Sequence, residues 1–294
     1  MIEIVLFVFG TIAGSYVAAT VWRLRAEQIV DDQNDHNYKK LISSNHLSGL
    51  KAKDDYSRCL DCGYRLRWYD MIPIVSWLML RGRCRQCHKT IGVTEIMAEF
   101  GTGIVFVLSY HFWPYPISWS NLLTILMFGI FISQMMILAI LFIYDLRWME
   151  LPTKVLHVTI GISTIFAVLR VAYLVSQSSY DIGIVIIDYL ASIAILAGLY
   201  YALDKYSRGK WVGSGDAYVG LAIALLLGNW KLAAVALFGA NLIGSLIAIG
   251  GMSIKRIGRN SHLPLGPLLI VGGLIAFFWG HYLIYRFLPF LSLY

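Results

Sequence analysis

Charged side chains are scarce in this sequence of 294 residues. Only 14% are Asp, Glu, Lys or Arg, whereas soluble domains average about 25%. Hydrophobic residues make up 58% and stand in long blocks, so a soluble core of this size could not bury them. The net charge of +7 comes without a basic stripe interleaved with aromatic residues, so we expect no nucleic-acid partner.

Runs of roughly 20 apolar residues, the length that crosses a bilayer core of about 30 Å, recur along the chain. They predict an all-α polytopic membrane protein with about eight transmembrane helices in a lipid bilayer. The predicted spans are about 3–22, 96–113, 120–144, 155–175, 182–203, 216–229, 232–253 and 264–288. No positively charged segment precedes the first run, so we expect it to be retained rather than cleaved as a signal peptide.

The spans predict three parts of the chain and an orientation. The parts are a first transmembrane helix at 1–22, a loop domain at 23–94, and a core of about seven helices at 95–294. Of the 24 Lys and Arg residues, 21 lie in loop 23–94 and in the short loops near 145–154, 204–210 and 255–259. The opposite loops are assigned only Arg170, Lys231 and Arg286. The positive-inside rule therefore predicts that loop 23–94 is cytoplasmic.

The only four cysteines of the chain stand in this loop domain as two Cys-x-x-Cys pairs, Cys59 with Cys62 and Cys84 with Cys87. Cytoplasmic thiols stay reduced, which disfavours disulfides. Two such pairs supply four thiolates for tetrahedral Zn²⁺, although the 21 intervening residues slightly exceed the usual spacing. We predict a closed structural zinc site; a redox pair or metal-free thiols are the alternatives.

Acidic residues inside or beside a span are costly and by default mark function. The candidates are Asp145, Asp188, Asp216, Glu95 and Glu99. Asp145 ends the third predicted span and Asp216 opens the sixth, so both are expected on the cytoplasmic side. Two carboxylates at one level can act as general base on water and as acid on a peptide carbonyl. For each aspartate taken alone an ordinary interfacial charge is the favoured interpretation, although the glycine-rich turn directly before Asp216 strengthens the functional one.

The sixth span is short, with about 14 residues from Asp216 to Asn229 and a length of roughly 21 Å. Asp216 is therefore expected below the membrane boundary, in a cavity that water reaches. Asp216 opens a helix and Asp145 closes one, and a helix dipole favours a negative charge at its N-terminus. This predicts Asp216 as the ionised partner and Asp145 as the proton carrier.

Together these stretches resemble the type IV prepilin leader peptidases, the bacterial branch of the G-x-G-D membrane aspartic proteases. The similarity runs in order along the whole chain. It comprises Gly14-Ser15-Tyr16 with Trp22-Arg23-Leu24, the stretch from Cys59 to Cys87, Glu99, Asp145 with Leu151-Pro152, Gly213-Ser214-Gly215-Asp216, and Leu265-Gly266-Pro267.

The resemblance implies that Asp145 and Asp216 are the catalytic pair and that the four cysteines are zinc ligands. It implies cleavage of the basic leader from prepilins or pseudopilins at the cytoplasmic face of the bacterial inner membrane. N-methylation of the new terminus with S-adenosylmethionine would follow; the sequence singles out no residues for that cofactor. The alternatives are a transporter or ion channel that uses the aspartates, and a zinc-anchored scaffold without catalysis.

Overall fold

The structure is a computed structural model that describes residues 1–31, 56–117, 121–177, 181–253 and 263–287. Within these ranges the chain is helical apart from turns and two isolated β-bridges, Arg58 with Arg65 and Arg83 with Thr90. The chain divides into two compact units, Met1–Tyr110 and His111–Tyr294. The division predicted from the sequence, with boundaries after residues 22 and 94, stays a prediction.

The first unit contains two long apolar helices and the loop domain between them. Its elements are α1 (Ile2–Asp31), a 3₁₀ turn (Trp68–Met71), α2 (Val75–Met79) and α3 (Val93–His111). Helices α1 and α3 approach closely at glycines, since a Cβ added to Gly10 would lie 2.7 Å from the Cα of Gly103. The Thr102 hydroxyl donates to the carbonyl of Gly10 at 2.7 Å and ties the two backbones together. Small residues permit this packing between membrane helices.

The second unit is a bundle of helices around an aromatic core, in which the rings of Phe131 and Phe277 stack with centroids 4.4 Å apart. Its elements are α4 (Leu122–Trp148), α5 (Thr153–Ser176), α6 (Ile182–Ile193), a π-helical turn (Ala194–Gly198), α7 (Leu199–Ser207), α8 (Ser214–Leu227), α9 (Trp230–Ser253) and α10 (Leu265–Phe287). Helices α6 and α7 run as one rod through the π turn.

Seven helices of the described chain are long and apolar enough to cross a membrane. The eighth predicted span, 216–229, is the apolar helix α8, which has only 14 residues. The helical membrane fold is therefore confirmed, with seven long helices and one short one. At about 21 Å, α8 falls short of a bilayer core by about 9 Å.

Helix α8 is held by contacts at its middle and in its C-terminal half. A Cβ on Gly220 would lie 2.7 Å from the carbonyl oxygen of Leu196, so the glycine lets α8 rest directly against the π turn. The Ser192 hydroxyl donates to the carbonyl of Ala224 at 3.1 Å. Single π turns of this kind are frequent at functional sites.

The assignment of Arg170, Lys231 and Arg286 to loops is wrong, because they lie within α5, α9 and α10. Within α5, Arg170 caps the C-terminal end of α8. Its Nη1 donates to the carbonyls of Leu226 and Leu227, which end α8 without helical partners of their own. An arginine thus takes the place that water would fill at an exposed helix end.

Candidate active site and cysteine cluster

Asp145 lies in the last turn of α4 and is buried, with 5% of its surface exposed. The helix stops three residues later. Met149 then adopts a left-handed φ of 52°, and its N–H closes the helix on the carbonyl of Asp145 at 2.8 Å. Pro152 follows and starts α5, so the chain reverses directly after the aspartate. The side chain is therefore fixed at a helix end rather than on a loop.

Asp216 is the third residue of α8 and is also buried, with 8% exposed. Its Oδ2 accepts a hydrogen bond from the N–H of Gly213, the residue before the helix, at 3.2 Å. Its own N–H donates to the carbonyl of Gly213 at 3.1 Å. This reciprocal pair closes the first turn and orients the carboxylate across the helix start.

The two aspartates, 71 positions apart in sequence, come together at one site. They are near enough for their charges to interact. A third helix end joins them, because the N–H of Gly266 in the first turn of α10 donates to the Asp145 carboxylate. A Cβ at residue 266 would lie only 2.7 Å from Oδ2 of Asp145. Glycine is required there because any side chain would displace the carboxylate.

Leu151 fills the space between these helix ends. A Cβ at Gly215 would lie 2.8 Å from Cδ1 of Leu151, and one at Gly266 would lie 3.7 Å from the same atom. The leucine follows Asp145 by six residues and touches the starts of both α8 and α10. One apolar side chain thus sets the spacing of the glycine backbones that flank the two carboxylates.

The meeting of three helix ends bears on which aspartate holds a proton. The prediction that Asp216 is ionised and Asp145 protonated considered, for each aspartate, only the dipole of the helix that carries it. Asp145 ends α4, but its carboxylate also faces the N-terminus of α10 through Gly266. Both carboxylates therefore meet a helix N-terminus, and the helix dipoles no longer distinguish them.

The other acidic candidates lie outside this pair. The Asn229 amide donates to Asp188 at 3.0 Å, just beyond the opposite end of α8. The Trp22 indole donates to Glu95 at 3.2 Å, and the Ile74 N–H donates to Glu99 at 2.7 Å, both within the first unit. These three residues serve as hydrogen-bond acceptors that hold local structure.

Sequence reasoning did not single out Tyr200 of α7. This side chain is buried, with 4% exposed. It is hydrogen-bonded to Asn241 of α9 and lies within electrostatic range of Asp216. The sequence does not indicate that this tyrosine lies near Asp216, because only the tertiary packing brings the two residues together.

The four cysteines form one cluster, and their Sγ atoms all lie within 4.8 Å of one another. The Sγ–Sγ distance is 3.8 Å between Cys59 and Cys87 and 3.9 Å between Cys62 and Cys84. A tetrahedral zinc with Zn–S bonds of about 2.3 Å separates its sulfurs by about 3.8 Å. The donor set and its spacing therefore fit a four-coordinate metal ion.

Each Cys-x-x-Cys pair sits in a matching turn. The N–H of Cys59 donates to the carbonyl of Tyr64, and the N–H of Cys84 donates to that of Lys89, both at 2.9 Å. In each turn the residue after the second cysteine has a left-handed φ, 71° at Gly63 and 55° at His88. His88 is thus a turn residue and not part of the cluster.

The free thiols differ in acidity. Burial raises the pKa of the Cys59 thiol to about 12. Burial also opposes ionisation of Cys84, but hydrogen bonds from the N–H groups of Cys87 and Gln86 and from the thiols of Cys59 and Cys87 together lower the pKa of the Cys84 thiol to about 7. Because a metal binds thiolates, its binding here must release protons.

The family model of the bacterial peptidase A24 N-terminal domain matches residues 8–113. Prepilin leader peptidase/N-methyltransferases from three bacteria match nearly the whole chain. That of Aeromonas salmonicida is 25% identical over 93% of this chain and 89% of its own length. That of Vibrio cholerae is 26% identical over 94% and 97%, and that of Neisseria gonorrhoeae is 29% identical over 92% and 88%.

No solved structure matches the chain. The relatives align over almost their full length, and the matched domain covers α1, the cysteine cluster and α3. The chain is therefore similar over nearly its whole length to the prepilin leader peptidase/N-methyltransferases, and its N-terminal part matches the bacterial peptidase A24 N-terminal domain.

Proposed function

We propose that this protein is a membrane aspartic endopeptidase that removes the leader from type IV prepilins or pseudopilins, with Asp145 and Asp216 as its catalytic pair. The observation that carries the proposal is the meeting of these two buried carboxylates at three helix ends. The names of the relatives supply the substrate class.

The pair would act as in other two-carboxylate hydrolases. One carboxylate, ionised, removes a proton from water as the oxygen attacks the peptide carbonyl carbon. The other, protonated, donates to the carbonyl oxygen, and the tetrahedral intermediate then collapses as a proton passes to the leaving amine. Two like charges so close favour a shared proton, so the resting pair already holds one acid and one base.

The surroundings restrict what reaches the pair. At Gly215 and Gly266 the space beside the backbone is filled by Leu151 and Asp145, whereas at Gly213 a Cβ would meet only Oδ2 of Asp216, at 3.7 Å, so an extended peptide has room to approach there. The apolar helix that follows a prepilin leader would lie against the membrane helices and bring the scissile bond to this level. Burial of that helix would supply most of the binding energy.

For the cysteine cluster we propose a structural Zn²⁺ bound by Cys59, Cys62, Cys84 and Cys87. Four thiolates complete the coordination of the ion and leave no open position for substrate. The zinc would therefore stabilise the loop domain and take no part in peptide cleavage.

We place the protein in the bacterial cytoplasmic (inner) membrane, with the active site facing the cytoplasm. The support is the charge distribution: Arg147 and Lys154 follow Asp145, and Lys205, Arg208 and Lys210 precede Asp216. The proposal that the new N-terminus is methylated with S-adenosylmethionine is supported only by the names of the relatives. The described residues single out no side chains for the methyl donor.

A transporter or channel would need acidic groups strung at several depths along a pathway. Asp145 and Asp216 instead meet at one end of α8, and Asp188 is engaged by Asn229 at the other. Nothing in the arrangement favours transport.

The proposed activity is tested by expressing the protein together with candidate prepilins from the same genome. The mass of the mature pilin N-terminus reports both leader removal and methylation. We expect a product that lacks the basic leader and carries one added methyl group. Unprocessed prepilin in cells that contain correctly inserted protein would contradict the peptidase assignment; a cleaved but unmethylated product would contradict only the methylation.

A further inference from the structure

The loop domain carries an exposed apolar surface that neither the metal site nor the catalytic pair explains. It lies within residues 68–79, between the two cysteine turns. We call it the apolar face; its members are Trp68 (74% exposed), Met71 (44%), Ile72 (39%), Val75 (48%), Leu78 (59%) and Met79 (79%). Six large apolar side chains exposed within 12 residues are more than isolated surface hydrophobics, and such patches mark an interaction site.

The segment that bears this face is hydrogen-bonded internally and to the second cysteine turn. Asp70 is buried at its centre and accepts hydrogen bonds from the N–H of Arg67 at 3.2 Å and from Nε of Arg85 at 2.8 Å. The Ser76 hydroxyl donates to the carbonyl of Asp70 at 2.7 Å. Arg85 lies between the cysteines of the second pair, so its bond to Asp70 links the cysteine cluster to the segment that bears the apolar face.

A hydrogen bond fixes the depth of this segment. The N–H of Ile74 donates to Oε2 of Glu99 at 2.7 Å. Helix α3 has 19 residues and is about 28 Å long, so nearly its whole length is needed to cross a bilayer core of about 30 Å. Glu99 lies six residues after Val93, which is about 9 Å along the helix axis. Because helical side chains lean toward the helix N-terminus, Ile74 lies up to about 9 Å inside the end of this span.

The side chains next to this segment are also of the types that contact a membrane. Met97 and Phe100, which flank Glu99 on α3, are 66% and 51% exposed and so continue the apolar surface along the span. Arg81 and Arg83 are exposed directly after the segment, where phosphate headgroups would attract them. Trp68 stands at the other end, as tryptophans do at membrane interfaces.

We propose that the apolar face of residues 68–79 is inserted among the lipid acyl chains of one leaflet. The segment enters the leaflet beside α3, is anchored there by Glu99, and returns to the surface at Arg81. The cysteine cluster then holds a membrane-embedded segment in place rather than a loop that stands free in water. The occupant of the surface is lipid, because only lipid is continuously present at the depth that Glu99 sets.

Photocrosslinking in vesicles tests this inference. The photoreactive residue p-benzoylphenylalanine replaces Leu78 in the full-length protein, which is reconstituted in phosphatidylcholine and phosphatidylglycerol without any prepilin. Gln86, exposed on the second cysteine turn, receives the same residue as the matched control. Met79 is a second test site if the Leu78 variant fails to insert. Adducts are identified by mass spectrometry.

We expect at least about tenfold more lipid adduct at residue 78 or 79 than at residue 86, since acyl chains surround the first two sites and water the third. Equal lipid labelling at the test and control sites would overturn the proposal. So would adducts to protein in place of lipid, whether to a second copy or to another part of this chain. Prepilin that displaces the lipid adducts when added would assign the face to substrate instead.

Discussion

Gly266→Ala tests whether the α10 N-terminus positions Asp145. The new methyl carbon would lie 2.7 Å from Oδ2 of Asp145, at least 0.3 Å inside the 3.0 Å below which real Cβ contacts essentially never fall. The carboxylate must move away and weaken its bond to the Gly266 N–H. A hydrogen bond to a charged group contributes about 1.5–3 kcal/mol, so its loss corresponds to roughly ten- to a hundredfold in rate. Misplacement of a catalytic group by about 1 Å costs a similar factor.

The assay is kcat/KM for prepilin cleavage by purified protein in vesicles. Gly129→Ala is the control, because Gly129 lies on α4, as Asp145 does, and a Cβ there meets no heavy atom within 4 Å. We expect a loss of at least about tenfold for Gly266→Ala and no loss for Gly129→Ala, with both variants inserted at normal abundance. If Gly266→Ala cleaves as fast as Gly129→Ala, the α10 N-terminus does not position the catalytic carboxylate.

Three further results are expected. Gly215→Ala should lower kcat/KM because its Cβ would lie 2.8 Å from Leu151, and Leu151→Ala in the same chain should restore part of the rate; no restoration would contradict the contact. Arg170→Leu leaves two helix-end carbonyls unpaired, at about 1–3 kcal/mol each, so thermal unfolding should occur at lower temperature than in Arg170→Lys; equal melting would refute the cap. Purified protein should hold about one zinc per chain, and Cys84→Ser should lower metal content and abundance more than kcat per folded molecule; active protein without metal would exclude the zinc site.

Local patterns in the sequence predicted much of this architecture. Long apolar runs located every membrane helix, since the bilayer thickness sets their length. The spacing of Cys59, Cys62, Cys84 and Cys87 predicted a cluster that the structure brings within 4.8 Å. The short sixth span was visible because the stretch from Asp216 to Asn229 has only 14 residues. These features depend on neighbours in sequence, which periodicity and spacing report directly.

Contacts between distant segments were not predictable in this way. The bond from Gly266 to Asp145 joins residues 121 positions apart, and it removed the basis for telling the two aspartates apart by helix dipole. Arg170 was assigned to a loop because hydropathy does not show that two carbonyls at the end of α8 need a hydrogen-bond donor. The depth of the apolar face depends on one bond from Ile74 to Glu99. Each of these is a tertiary contact with no local signature.

The central claim is that Asp145 and Asp216 act as one catalytic pair. The most direct measurement is kcat/KM for prepilin cleavage by Asp145→Asn, Asp216→Asn and Asp181→Asn in the same vesicles. Asp181 is an exposed residue that caps the start of α6, a position where asparagine serves equally well. Groups that act as a unit lose nearly all activity when either is removed. We predict below about 1% of wild-type kcat/KM for each of the first two variants and unchanged kcat/KM for the third. Activity near the wild-type level in either Asp145→Asn or Asp216→Asn would contradict the claim.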